Sequence, residues 1–307
     1  MAIDNTNAID VSRLTDGVLL SPEVSGTIQA AVLENSAFQS LARKVDMPAG
    51  GVTWQTITGE PEAEWVGETQ EKPVSRPTFG DDTWAPYKMA VIVPFSDEFR
   101  RDAGRLFAEV QRRIPYALGR LFDRTVLGLA GAPGEHFDQL TEENGVVEVE
   151  YDGTDVGTAY DSLLDVDKAI SDAGYLLDGW ALAPSARNKL MRVRDGASPL
   201  FATDVQSGGI YQTLLGGRVE YRKVIGEDTD LLGIAGDFAN AQWGTVEGVK
   251  LSASSEATLT DGDNVLNLWQ RNMFALRAEI EVAFRADTEA FVRVTDATTA
   301  TEPDPEA

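Results

Sequence analysis

The chain has 307 residues, enough for about two compact units or one unit with a large excursion. It contains no cysteine and a single histidine, His136, which excludes disulfide frameworks, thiolate chemistry, Cys-zinc and iron–sulfur sites, and His-rich metal centres. With 26 Lys+Arg against 50 Asp+Glu the net charge is −24, a balance that opposes phosphate-gripping nucleic-acid binding over the chain as a whole.

The start, Met1 to Asp10, is polar and lacks the basic and apolar regions of an export signal. No stretch approaches ~20 uninterrupted apolar residues, so no membrane partner is expected. A soluble protein made in the cytoplasm is the simplest expectation. Arginine outnumbers lysine among the cations, and its planar fork suits carboxylate pairing across an interface.

Residues 1–20 read as an arm ending in Val18-Leu19-Leu20. Ser21-Pro22-Glu23 has the cap, proline and acid of a helix start, followed by Val24, Ile28, Ala31 and Val32 at helical spacing. Ser36 is placed to cap a second short helix carrying Phe38 and Leu41. Residues 51–58 read as a strand, and residues 84–93 as its return. Gly59 to Thr83, rich in Glu, Pro and Gly, connects them and is far longer than a hairpin loop. Trp65-Val66-Gly67 lies in its middle, and a bulky apolar group on such an excursion calls for a partner surface.

Ser96-Asp97-Glu98 opens the longest helical segment, to about Ala130. Phe99, Ala103, Leu106, Phe107, Val110, Ile114, Leu118, Leu121, Phe122, Val126 and Leu129 make one apolar stripe. Arg100, Arg101, Arg105, Arg112, Arg113, Arg120 and Arg124 make an opposite, basic face, with Gly104 and Pro115 expected to bend or interrupt it. That face reads as solvated, or as one half of a set of subunit salt bridges.

A short hairpin is expected around Val146 to Tyr151, and a helix over about 158–173. Trp180 to Ala183 reads as a buried strand, and Ser185 as the cap of a helix with Leu190 and Met191. Gly217 to Ile225, Leu231 to Ala235 and Val249 to Ala253 read as strands. In the last long strand Leu276, Ala278, Ile280, Val282 and Phe284 point one way, and Arg277, Glu279, Glu281 and Arg285 the other. Ala290 to Val294 follows as continuation or return, and 297–307 as a polar, disordered tail.

Signatures of catalysis are missing: no phosphate loop, dinucleotide fingerprint, nucleophile elbow or zinc-protease motif. His136 sits in Gly131-Ala-Pro-Gly-Glu-His with no orienting partner identifiable in the sequence. Asp152 with Asp155, Asp228 with Asp230, and Asp261 with Asp263 read as surface turns in preference to calcium ligands, since none completes a calcium loop. No catalytic, metal or cofactor site is assigned.

The order of these pieces resembles the major capsid proteins of tailed bacteriophages, with the Hong Kong ninety-seven-type fold. The resemblance runs from about Leu19 to Thr295. It rests on the arm and short helix, the acidic excursion with Trp65-Val66-Gly67-Glu68, and Val93-Pro94-Phe95-Ser96 before the long helix. Trp180-Ala-Leu-Ala-Pro184, Thr213-Leu-Leu-Gly216, Gly236-Asp237-Phe238 and the closing Glu289 to Val294 complete it.

The resemblance implies an α+β fold: an N-terminal arm (1–25), a peripheral domain from 26–56, 86–154 and 261–296, an extended loop (57–85) lying over a neighbour, and an axial domain (155–260). It implies a non-enzymatic subunit, without cofactor, that forms pentamers and hexamers of an icosahedral shell and encloses DNA without sequence-specific binding. The partners it implies are a separate scaffolding protein, a portal and decoration proteins, and the implied location is the virion. Trp65, Glu68, Lys72 and Arg76 of the loop, with Arg100, Arg101, Arg105, Arg112 and Arg113 of the helix, are the candidate subunit-interface residues. Lys72 is the lysine of this loop, but no asparagine partner for a covalent crosslink can be matched to it. An encapsulin-like compartment shell and a carboxylate-dependent hydrolase are the alternative readings.

Overall fold

The structure is a computed structural model that describes residues 36–59, 65, 74, 76, 78–98, 104–195, 198–199, 213–228, 230–261 and 264–297. The expected arm, the helix start at Ser21 and the tail beyond Ala297 lie outside the described residues.

In chain order the elements are α1 (Ala37–Leu41), β1 (Arg43–Asp46), β2 (Val52–Gly59), β3 (Thr78–Trp84), β4 (Tyr87–Ser96), α2 (Gly104–Val126) and β5 (Val147–Tyr151). There follow α3 (Val156–Asp172), β6 (Gly179–Leu182), α4 (Pro184–Arg192), β7 (Arg194–Asp195), β8 (Ser198–Pro199), β9 (Thr213–Leu214), β10 (Gly217–Tyr221), β11 (Leu231–Gly236) and β12 (Ala241–Thr245). The chain closes with β13 (Lys250–Ser254), β14 (Thr258–Asp261), β15 (Asn264–Asn267), β16 (Met273–Ala286) and β17 (Phe291–Asp296).

Two sheets build the body. In the first, β16 is the central strand, with β4 along one edge and β12 and β13 end to end along the other; β1 pairs in parallel with β12. Leu276, Ala278, Ile280, Val282 and Phe284 of β16 are buried, as its alternation predicts. The second sheet has six strands in the order β5-β17-β11-β6-β10-β9 and mixes parallel and antiparallel pairs. Its inner strands β6 and β11 are buried along their whole length, because layers cover both faces. Gly236 is required there, since a Cβ would stand 2.4 Å from the Phe291 ring and 2.6 Å from the Ala290 carbonyl.

On one face of the six-stranded sheet lie α3 and α4, through Leu163, Val166, Ile170, Ala186 and Leu190. On the other face α1, α2 and the buried side of β16 share one core with Ala181, Ile234 and Phe291. Its aromatic rings meet edge to face: Phe122 with Phe284 at 5.7 Å, Phe238 with Phe291 at 5.2 Å. Buried Trp180 donates its indole N–H to the Leu214 carbonyl at 2.9 Å, tying β6 to the edge strand β9.

Local signals set the helix ends. Ser36 Oγ accepts from the Gln39 amide at 3.1 Å, the cap expected for α1. Asp155 and Thr158 form a reciprocal capping box at the start of α3.

Six expectations are corrected. Gly217 to Ile225 is a strand only to Tyr221 and then a 3-10 turn over Lys223–Glu227, and Phe291–Asp296 pairs with β11 and β5 and is neither a continuation nor a return of β16. The partner of β2 is β3, with Val52 opposite Trp84; the 84–93 segment, as β4, pairs instead with β16. Val147–Tyr151 is one strand, parallel to β17, and not a hairpin. Helix α2 continues through Pro115, because burial of Ile114, Leu118 and Phe122 outweighs the ~3 kcal/mol cost of an interior proline. Helix α4 starts at Pro184 with Ala183 as its cap, so Ser185 lies inside the first turn. The first sheet draws β12 and β13 from the 155–260 interval, and the second draws β5 and β17 from outside it.

Candidate assembly surfaces

The long excursion is a two-stranded ribbon of β2 and β3 with a rigid root. Trp84, 1% exposed, packs with Met47 and Ala283. Arg285 donates to the Thr83 carbonyl at 3.0 Å and pairs with Asp138 at 2.9 Å, and Asp138 also accepts from the Ala286 amide. Gly51 turns into the ribbon at φ +75°, where a Cβ would stand 2.5 Å from the Trp84 carbonyl. Beyond this root the apolar groups face outward: Phe79 and Val74 are exposed, Trp65 is 104% exposed, and Arg76 lies exposed beside them. A clamped base with an apolar far end suits a projecting grip. Glu68 and Lys72 lie outside the described residues.

On α2 the outward face carries Arg113, Tyr116 and Arg120 at helical spacing, and Leu121, expected in the apolar stripe, is exposed beside them. Two arginines of the expected basic row, Arg120 and Arg124, are used within the subunit. Arg120 donates to Glu227 at 2.8 Å and Arg124 lies 3.5 Å from the same carboxylate. Arg100 and Arg101 lie outside the described residues; Arg105 and Arg112 fall on α2, with their side chains outside the description. A further apolar patch was not anticipated. The β14–β15 hairpin and the turn after it expose Val265 and Trp269, the latter 70%. The tryptophan in Leu268-Trp269-Gln270-Arg271 was the one available signal.

An open cleft of about 830 Å³ lies at the ribbon root, lined by Trp84, Phe137, Asp138, Arg285 and Asp287 among others. In this lining Asp138 pairs with Arg285 and Glu135 is exposed at the rim, while Asp287 accepts from the Tyr175 hydroxyl at 2.5 Å. That bond pushes the Tyr175 phenol up to about 12. His136 lies in the adjacent loop, its amide donating to the Tyr87 hydroxyl. Of the paired acids, Asp152 accepts from Thr154, Asp155 caps α3, and Asp228 accepts from the Asp230 amide. Among the described residues no group of three acids and histidines is placed to hold a metal ion.

The layered α+β body with its clamped ribbon has the Hong Kong ninety-seven-type fold. The chain belongs to the phage capsid family, whose model matches residues 16–296. It is 28% identical over 293 residues to the probable major capsid protein gp17 of Mycobacterium phage L5, covering 90% of this chain and 89% of that one. It is 26% identical to the major capsid protein of Staphylococcus phage 80alpha, covering 95% and 89%. Among solved structures, a chain from Microbacterium phage Oxtober96 superposes with a TM-score of 0.73 at 23% identity, covering 85% of this chain and 91% of that one. The capsid of a native GTA particle superposes with a TM-score of 0.62 at 15% identity, covering 96% and 95%.

Proposed function

We propose that this chain is the major capsid protein of a tailed double-stranded DNA phage, and that copies associate head to tail into pentamers and hexamers of the closed head. The observation that carries this reading is the ribbon: its root is fixed by Trp84 and Arg285, while Trp65 faces outward without intramolecular cover. Residues 57–85 serve as the extended loop gripping a neighbour, residues 1–25 as the arm. Residues 26–56, 86–154 and 261–296 form the peripheral domain and residues 155–260 the axial domain. Trp65, Glu68, Lys72, Arg76, Arg100, Arg101, Arg105, Arg112 and Arg113 contribute to subunit contacts.

The subunit acts without catalysis or cofactor, is made in the host cytoplasm and ends in the virion. A separate scaffolding protein, a portal and decoration proteins are its partners. The net charge of −24 fits a container that holds DNA without adhesion to it. Deleting Glu60 to Gly80 tests the reading: the purified variant should stay folded by circular dichroism and form no shells by electron microscopy. Normal shells from that variant would overturn the role of the ribbon.

A further inference from the structure

Helix α1 is a five-residue rivet between the two sheets and α2. Phe38 enters the shared core, while Ser40 Oγ donates to Glu220 at 3.1 Å and accepts from Arg218 at 3.0 Å. Its N-terminus is held by a group from elsewhere in the chain. Asp123 of α2, fully buried, accepts from Ser36 Oγ at 2.6 Å and from the Ala37 amide at 2.9 Å. Next along α1, the Gln39 side-chain amide is buried with neither its N nor its O hydrogen-bonded.

We propose that Asp123 is a proton-operated latch: its neutral carboxyl holds α1 against α2, and loss of the proton loosens α1 from the body of the subunit.

Burial of Asp123 without an ion-pair partner among the described residues favours the neutral form, and the geometry accommodates it. A protonated Asp123 can donate to Ser36 Oγ, which has a second lone pair for the Gln39 amide, while its other oxygen still accepts from Ala37. The contacts to Ser36 and Ala37 are kept with the Ser36–Asp123 bond reversed, the Ser36 hydroxyl proton giving up its acceptor, and no charge is left in a core lined by Phe38, Leu118 and Phe122. Ionisation places that charge there against a desolvation penalty. Burial pushes the carboxyl up to about 7, although Ser36, the amides of Ala37 and Phe38, and Arg222 all pull it down.

Among the described residues the neighbouring charges have partners of their own or lie exposed. Arg222, at the end of β10, is paired with Glu220 at 3.1 Å. In the turn packed on α2, Glu227 is held by Arg120 and Arg124, and Lys223 is exposed. Strand β4 presents Tyr87, Met89 and Val91 to the same core, and α1 itself brings no ionisable group. This inference concerns the subunit alone and does not depend on what the subunit assembles into.

Hydrogen exchange on the full chain, read by mass spectrometry and corrected for the intrinsic pH dependence of exchange, tests it. Between pH 5.5 and 8.5 protection of residues 37–42 should fall by about tenfold or more, while residues 114–126 keep theirs. Asp123→Asn should abolish that dependence. Ser36→Ala, which removes a bond favouring the charged form, should move the midpoint to higher pH, and serves if the Asn variant does not fold. Constant protection of residues 37–42 in the natural protein, loss of protection in step with residues 114–126, or an unmoved midpoint in Ser36→Ala would each overturn the latch.

Discussion

Arg293, on the last strand, donates to the main-chain carbonyl of Leu140 at 3.0 Å. The same nitrogen reaches the Leu127 carbonyl at 3.4 Å, just past the C-terminal end of α2. A guanidinium only 11% exposed thus reaches the Leu127 carbonyl at the negative end of the long helix and pins that helix to the six-stranded sheet. Arg293→Met should lower the stability of the isolated subunit by about 2–4 kcal/mol, and Arg293→Lys by less, since an ammonium keeps the charge and can still donate to a carbonyl. Urea unfolding checks this; an unchanged midpoint for Arg293→Met would show that the contacts contribute nothing.

Asp123 also gives the whole subunit a pH dependence of defined sign. Its carboxyl is raised from 3.8 to about 7 in the folded chain, so between those values the folded state binds a proton that the unfolded state does not. Its contribution to stability is complete below about pH 4 and is lost as the pH rises through 7, by up to about 4 kcal/mol. The stability difference between the natural protein and Asp123→Asn should therefore shift against the natural protein from pH 4 to 7 and level off above. Thermal unfolding of both proteins over that range measures it, and parallel curves would contradict it.

Trp65→Ala should separate assembly from folding. The side chain makes no intramolecular core, so subunit stability should change by less than about 0.5 kcal/mol. If it anchors a neighbour, the protein concentration needed for shells should rise about tenfold, as expected for a loss of roughly 1.4 kcal/mol at an interface. Sedimentation across a concentration series reads the threshold directly.

Salt should help assembly at first. Subunits with a net charge of −24 repel, and that repulsion is screened over ~8 Å near 0.15 M salt. Arg120 and Arg124 are committed to Glu227 inside the subunit, which leaves fewer cations for contacts between subunits. Light scattering should rise with sodium chloride up to about physiological ionic strength. A steady fall from low salt would mean that ion pairs between subunits dominate.

Much of this protein was legible along the chain wherever burial leaves a local rhythm. The alternation of β16 marked its buried face, Ser36 marked the start of α1, and Trp180 to Leu182 read as a buried strand. The order of such pieces was enough to place the chain in its family. Partnership was decided only in three dimensions. Nothing local says that β4 joins β16 and not β2, that β5 lies beside β17, or that Arg120 and Arg124 pair with Glu227. Asp123 looked like any polar residue of a helix, and only the arrival of Ser36, 87 residues distant, gave it a buried setting. Periodicity records which side of an element avoids water. Which surface covers that side depends on how long connections close, and on the charges and hydrogen bonds that come together when they do.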